Sequence, residues 1–135
     1  MRPSAARYRL AVRWLAIFVG GGLGATARYA IGGWIQAATA SFFPWGTFVV
    51  NVSGCLAIGV LATLLDERSM LGPTWRVFLL IGVLGGYTTF SSFGLETWRL
   101  VESGDWLRAA ANAGASVALG LAAVAAGVAL VRTSA

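Results

Sequence analysis

The chain contains no histidine and no lysine, a single cysteine, and five acidic side chains in 135 residues. Each shortage excludes something. Without histidine, and with Cys55 alone, no His/Cys/Asp cluster of metal-ligating spacing can be assembled. One cysteine permits no internal disulfide and so marks no redox compartment. The carboxylates Asp66, Glu67, Glu96, Glu102 and Asp105 all read as loop or span-end residues, so no acidic pair lies deep in an apolar segment for acid–base chemistry. The chain therefore reads as a non-enzyme. Charged residues are 11% of the total, against about 25% in an ordinary soluble domain.

What is present is apolar. Hydrophobic residues make up 58% of the chain. No formal charge occurs over 29–65 or over 109–131, and four stretches stand out: 14–36 (interrupted by Arg28), 46–65, 77–95 and 109–131. Each approaches the ~20 residues that carry a helix across a ~30 Å hydrocarbon core. The pattern predicts an all-α membrane protein: one transmembrane domain, 1–135, with spans near 13–37, 46–65, 75–98 and 107–131 and no room for a soluble domain. Residues 1–10 read as a basic tail. Arg2, Arg7, Arg9 and Arg13 followed by an apolar run imitate a signal peptide, but the run is too long and Arg28-Tyr29 is a poor cleavage context. It is read as the first retained helix. Trp14, Trp34, Trp45, Trp75, Trp98 and Trp106 all fall at or near span ends, where an indole can be apolar on its face and wet at its N–H. The net charge of +5 is all arginine and flanks the spans without forming one basic face. Anionic lipid headgroups of a cell membrane are thus the expected partner, and nucleic acid is not.

Within the spans, Gly20-Gly21-Gly22-Leu23-Gly24-Ala25 superficially fits a dinucleotide fingerprint, but no acid follows until Asp66. Gly20 and Gly24 read better as a small-xxx-small pair for close helix approach. Arg28, the only charge inside a span, reads equally as a snorkelling side chain or as an anion-attracting group near a pore mouth. Thr47, Asn51 and Cys55 recur every four residues, with Gly59 continuing that face, and Asn112, Ser116 and Gly120 repeat the arrangement. Each stripe alone reads as packing glue. Both together, beside an interrupted span, point to a shared polar path.

That interruption is the most informative segment. Residues 85–97 read Gly-Gly-Tyr-Thr-Thr-Phe-Ser-Ser-Phe-Gly-Leu-Glu-Thr. Irregular backbone at membrane depth survives only when buried in protein or lining a cavity. Thr74 is the expected N-cap of this span, and the helix is expected to break near Gly85-Gly86, within Gly85–Thr88. Phe90 and Phe93, three apart, share a helical face, and a ring edge is partially positive. Such edges could contact an anion without trapping it, and no carboxylate is expected in the path to repel one.

These residues resemble the small fluoride channel family called Fluc or CrcB. The likeness runs through Ala25-Thr26-Ala27-Arg28-Tyr29, through Pro44-Trp45-Gly46-Thr47 with Asn51 and Gly54, and above all through Gly85-Gly86-Tyr87-Thr88-Thr89-Phe90-Ser91-Ser92-Phe93. The resemblance implies an antiparallel dimer of four-helix subunits with two narrow fluoride pores. It implies that Phe90 and Phe93 line the pores and that Asn51 is a polar pore residue; fluoride's strong hydration then asks for donors such as Asn51, Thr47 and Ser116. It implies a structural sodium ion held by span 3 carbonyls, here those of Gly85 and Thr88. In that family span 4 supplies a tyrosine and two serines; here Asn112, Ser116 and Gly120 stand at those positions. Two competing readings are a small multidrug or cation exporter, which generally needs an acid inside a span, and a non-transporting assembly subunit.

Orientation strains against the family pattern. Arg2, Arg7, Arg9, Arg13, Arg68, Arg76 and Arg132 lie on one side, with Arg99 and Arg108 opposite and Arg28 near the latter. That bias favours one insertion and pairing with an oppositely oriented homologous subunit. If the N-terminal arginines count little, a dual-topology homodimer follows instead.

Overall fold

A computed structural model describes residues 5–67 and 71–134; Arg2 and Arg68 of the orientation count lie outside them. Helix α1 runs Ala5–Thr39, α2 Trp45–Glu67, α5 Phe90–Glu102 and α6 Trp106–Thr133. Between α2 and α5 come a short α3 (Pro73–Arg76), a π-helical stretch (Val77–Leu84) and one turn, α4 (Gly85–Tyr87). Four segments, Ala6–Thr39, Trp45–Glu67, Pro73–Glu102 and Trp106–Thr133, are long and apolar enough to cross a membrane. The protein is a multi-pass membrane protein. Its outer face matches that solvent: Phe18, Leu107 and Leu121 are exposed, while among the described residues the large side chains that are fully buried are Val50 and Asn112.

Helix α1 begins well before the expected span, so residues 5–10 are helical and not a loose tail. Nothing in Arg7, Tyr8 or Arg9 opposes a helix; their charge excludes them only from the hydrocarbon. At its other end Ala40 takes a left-handed φ of 45°. Gln36 then staples the turn. Its Nε2 donates to the carbonyls of Ser41 (2.7 Å) and Phe43 (3.2 Å), and its Oε1 accepts from the Gly46 N–H (3.1 Å). One amide thus engages three backbone groups of the helix–helix turn.

Close packing comes from glycine. A Cβ on Gly20 would sit 2.7 Å from the Phe78 carbonyl oxygen, and one on Gly24 would overlap that of Val83. Gly59 and Gly127 similarly bring α2 and α6 into backbone contact, at Val124 and Val60 respectively. In lipid, where burying apolar surface between helices gains little, such fit is what holds helices together. At one end of the bundle Asp66 pairs with Arg76, and Glu67 Oε1 with Arg132 Nε at 2.8 Å. Being exposed, these pairs contribute little.

One expectation for the third span is corrected and another is narrowed. Its N-cap is Gly72, with Pro73 at the first helical position, and Thr74 lies inside the helix. The break falls at Thr88-Thr89, whose φ,ψ values are −82°,157° and −149°,117°. Extended backbone suits β-branched threonine. Gly85 and Gly86 remain helical; Gly86 is small because it backs onto the Gly21 Cα, 3.0 Å from where its Cβ would be.

Candidate functional site

The break leaves backbone donors and acceptors without helical partners at membrane depth, and side chains take them. Asn51, two turns into α2, faces Thr89 squarely. Its Oδ1 accepts from the Thr89 N–H at 2.7 Å, and its Nδ2 donates to the Thr89 carbonyl at 2.9 Å. Thr89 is the N-cap of α5: its Oγ1 accepts from the Ser92 N–H at 3.2 Å. Tyr87 is tied to α2 through its hydroxyl, 3.0 Å from Ser53 Oγ.

These bonds have a consequence for two carbonyls. In a continuous helix the Thr89 N–H would bond Gly85 and the Ser92 N–H would bond Thr88. Both donors are diverted, one to Asn51 and one to the Thr89 side chain. The Gly85 and Thr88 oxygens are thereby left as hard, neutral ligands of the kind an alkali cation takes, and Gly85 is exposed at the surface of the subunit. The donor set fits sodium.

A cleft of about 350 Å³ runs beside the break. Asn51, Cys55, Thr88, Phe90, Phe93 and Ser116 line it. The two phenyl rings lie 5.5 Å apart between centroids, inclined at 42°, and Phe90 is 83% exposed. Ser116 Oγ is buried with no hydrogen-bond partner, an unspent donor in the cleft wall. Gly85, too, lies along this cleft. The structure thus brings together residues from three of the four spans that the sequence singled out.

Thr47, Arg28 and Asn112 are placed elsewhere. Arg28 and Thr47 line a larger, open cleft of about 1340 Å³ with Thr89, Ser91, Ser92 and Glu96; Thr89 borders both clefts. Thr47 donates its hydroxyl proton to Glu96 Oε1 at 2.8 Å. Asn112 borders neither cleft. It is 1% exposed and donates from Nδ2 to Thr97 Oγ1 at 2.8 Å, and Thr97 in turn donates to the Phe93 carbonyl at 2.7 Å. It clamps α6 to the helix that carries the phenylalanines.

Glu96 was expected at a span end, with no acid near the path. It stands instead in the second turn of α5, within the third span, half-buried. Its distance of three residues from Phe93 was the available signal. Thr89, Tyr87 and Ser53 were likewise not singled out; their roles depend on bonds reaching 34 to 38 residues along the chain.

Comparison with known proteins gives one consistent answer. A family model described as "CrcB-like protein, Camphor Resistance (CrcB)" matches residues 15–128. A relative from Solibacter usitatus named "Fluoride-specific ion channel FluC" is 51% identical over 113 residues, which are 84% of this chain and 93% of the relative. "Fluoride-specific ion channel FluC 2" of Nitrobacter hamburgensis is 47% identical over 121 residues, 90% of this chain and 98% of that one. The FluC of Chloroflexus aurantiacus is 47% identical over 118 residues, 87% and 94% of the two chains.

Proposed function

The chain belongs to the CrcB-like protein family, and from that premise we propose that it is a fluoride-selective passive channel that lets the ion leave the cell. The observation that carries the reading is the cleft at the broken span, lined by Phe90, Phe93, Asn51 and Ser116, whose hydroxyl is unspent. Fluoride is small and strongly hydrated, so a path must replace its water with donors held in place. Neutral hydrogen fluoride enters through lipid and dissociates inside, so a passive leak for the ion is protective. Because Glu96 lies within a span, absence of an acid no longer argues against a cation exporter; the family does.

Liposomes loaded with fluoride and carrying the purified protein should release it to an external fluoride electrode, with chloride strongly excluded. Phe90→Ile should cut that flux far more than it cuts assembly, with Phe93→Ile following. Equal chloride flux, or parental flux in both variants, would remove the reading.

The working unit we envisage is an antiparallel dimer with a sodium ion held by the Gly85 and Thr88 carbonyls. The diverted N–H donors support this, since they leave those oxygens for another ligand. Bound there, sodium would offset the dipoles of these carbonyls and tie the broken spans together. A Cβ at Gly85 would meet nothing closer than 3.9 Å within the subunit. Gly85→Val should therefore spare the subunit fold while weakening the dimer and erasing its stabilisation by sodium. Unchanged dimer stability with and without sodium would exclude the metal. For the arrangement itself, labelling of a C-terminal cysteine tag from outside intact cells separates two cases. About half the molecules labelled means a dual-topology homodimer; nearly none means pairing with an oppositely oriented homologue.

A further inference from the structure

An ionised acid beside an anion path would repel its own cargo, and Glu96 lines the larger cleft, which meets the phenylalanine cleft at Thr89. Its two oxygens are unlike. Oε1 accepts the Thr47 hydroxyl proton at 2.8 Å, whereas Oε2 is buried and meets no hydrogen-bond partner. The charged groups bordering the same cleft are Arg28 from α1, Arg99 on α5, Asp105 at the start of α6 and Arg108 within it; α2 presents the uncharged Thr47. Arg108 is spent on Asp105 Oδ2 at 2.7 Å, and the ion pairs among the described residues do not include Glu96. A carboxylate there would keep one oxygen dry and unbonded, which is costly.

A protonated carboxyl resolves that geometry. Oε1 is its carbonyl oxygen, already satisfied by Thr47, and Oε2–H is a donor in want of an acceptor. Fluoride is such an acceptor. We propose that Glu96 carries a proton while fluoride passes and that its Oε2–H donates directly to the ion. This rests on the fluoride reading above. The proton stays on oxygen throughout, so no bond is made or broken. Thr47 has already given its only proton to Oε1 and acts through Glu96, polarising the carboxyl and not touching the ion.

The experiment is the pH profile of fluoride flux in liposomes, with the leak of protein-free vesicles subtracted at each pH. Between about pH 7.5 and about pH 5.5, above the ordinary carboxylate range, flux through the parent should rise several-fold as pH falls. Glu96→Gln is neutral at every pH and keeps a donor, so its flux should be independent of pH and near the parent's low-pH value. Glu96→Leu, with neither charge nor donor, should be low throughout while still eluting as the parental assembly. A parental profile that is flat or rises with pH overturns the proposal. So does an unaltered pH dependence in Glu96→Gln, or parental flux in Glu96→Leu. A parent that passes no fluoride at any pH would instead fail the channel reading on which the proposal rests.

Discussion

Asn51→Ala is expected to abolish fluoride flux and destabilise the subunit at the same time. Thr89 is 7% exposed, so its N–H and carbonyl have little access to water. Asn51 is the hydrogen-bond partner of both. Leaving a buried polar group unpaired costs about 1–3 kcal/mol, so losing two costs roughly 2–6 kcal/mol if neither finds water. The loss also frees the peptide that sets where α5 begins, and with it the direction of Phe90. Asn51→Asp separates the two bonds. It keeps the acceptor for the Thr89 N–H, loses the donor to its carbonyl, and adds a negative charge at the cleft. It should be more stable than Asn51→Ala yet equally silent. Flux at the parental level in Asn51→Ala would show that the clamp is dispensable.

Gly24→Val should be the most damaging single change to the fold. The new Cβ would overlap the Val83 carbonyl oxygen and lie 2.8 Å from the Tyr87 nitrogen. Both are backbone atoms, so no rotamer change relieves them. Overpacking usually costs about 1–3 kcal/mol, and a backbone collision belongs at or beyond the top of that range. The control is on the same helix. A Cβ on Gly22 meets nothing within 4 Å, so Gly22→Val should leave thermal stability in detergent nearly unchanged. Equal thermal midpoints for the two variants would contradict the packing described between α1 and the third span.

The four spans were legible because charge and length fix them: an arginine or carboxylate cannot be spared to lipid, and ~20 apolar residues are needed to cross it. Their ends were less so. Residues 5–12 are helical although charged, since charge excludes a residue from hydrocarbon and not from a helix. The break was bracketed within Gly85–Thr88, but the pair that carries it was not identified. Gly85-Gly86 invited it because glycine tolerates unusual backbone, but Gly86 is present for contact with α1. The actual gap at Thr88-Thr89 exists because Asn51, 38 residues away, holds it open, and no local pattern announces such a bond. The same blindness hid Glu96. Its sequence neighbours mark the end of an apolar run, whereas its hydrogen bond to Thr47 spans 49 residues. Asn112 shows the opposite limit of a local pattern. A polar residue on a polar stripe looked like pore lining, and it is a clamp buried between α5 and α6.

The π-helical stretch Val77–Leu84 lies immediately upstream of this machinery. A π-helix closes each ring with one residue more than an α-helix does. Its length therefore sets angular phase as well as reach, and everything after Leu84 is rotated relative to the same sequence wound as a plain α-helix. Loss or gain of one residue among 77–84 would turn the downstream segment about its axis more than it would shift it along the membrane normal. The aim of Thr88, Thr89 and the phenyl rings is thus a matter of timing along the screw, and this stretch should tolerate substitution far better than insertion or deletion.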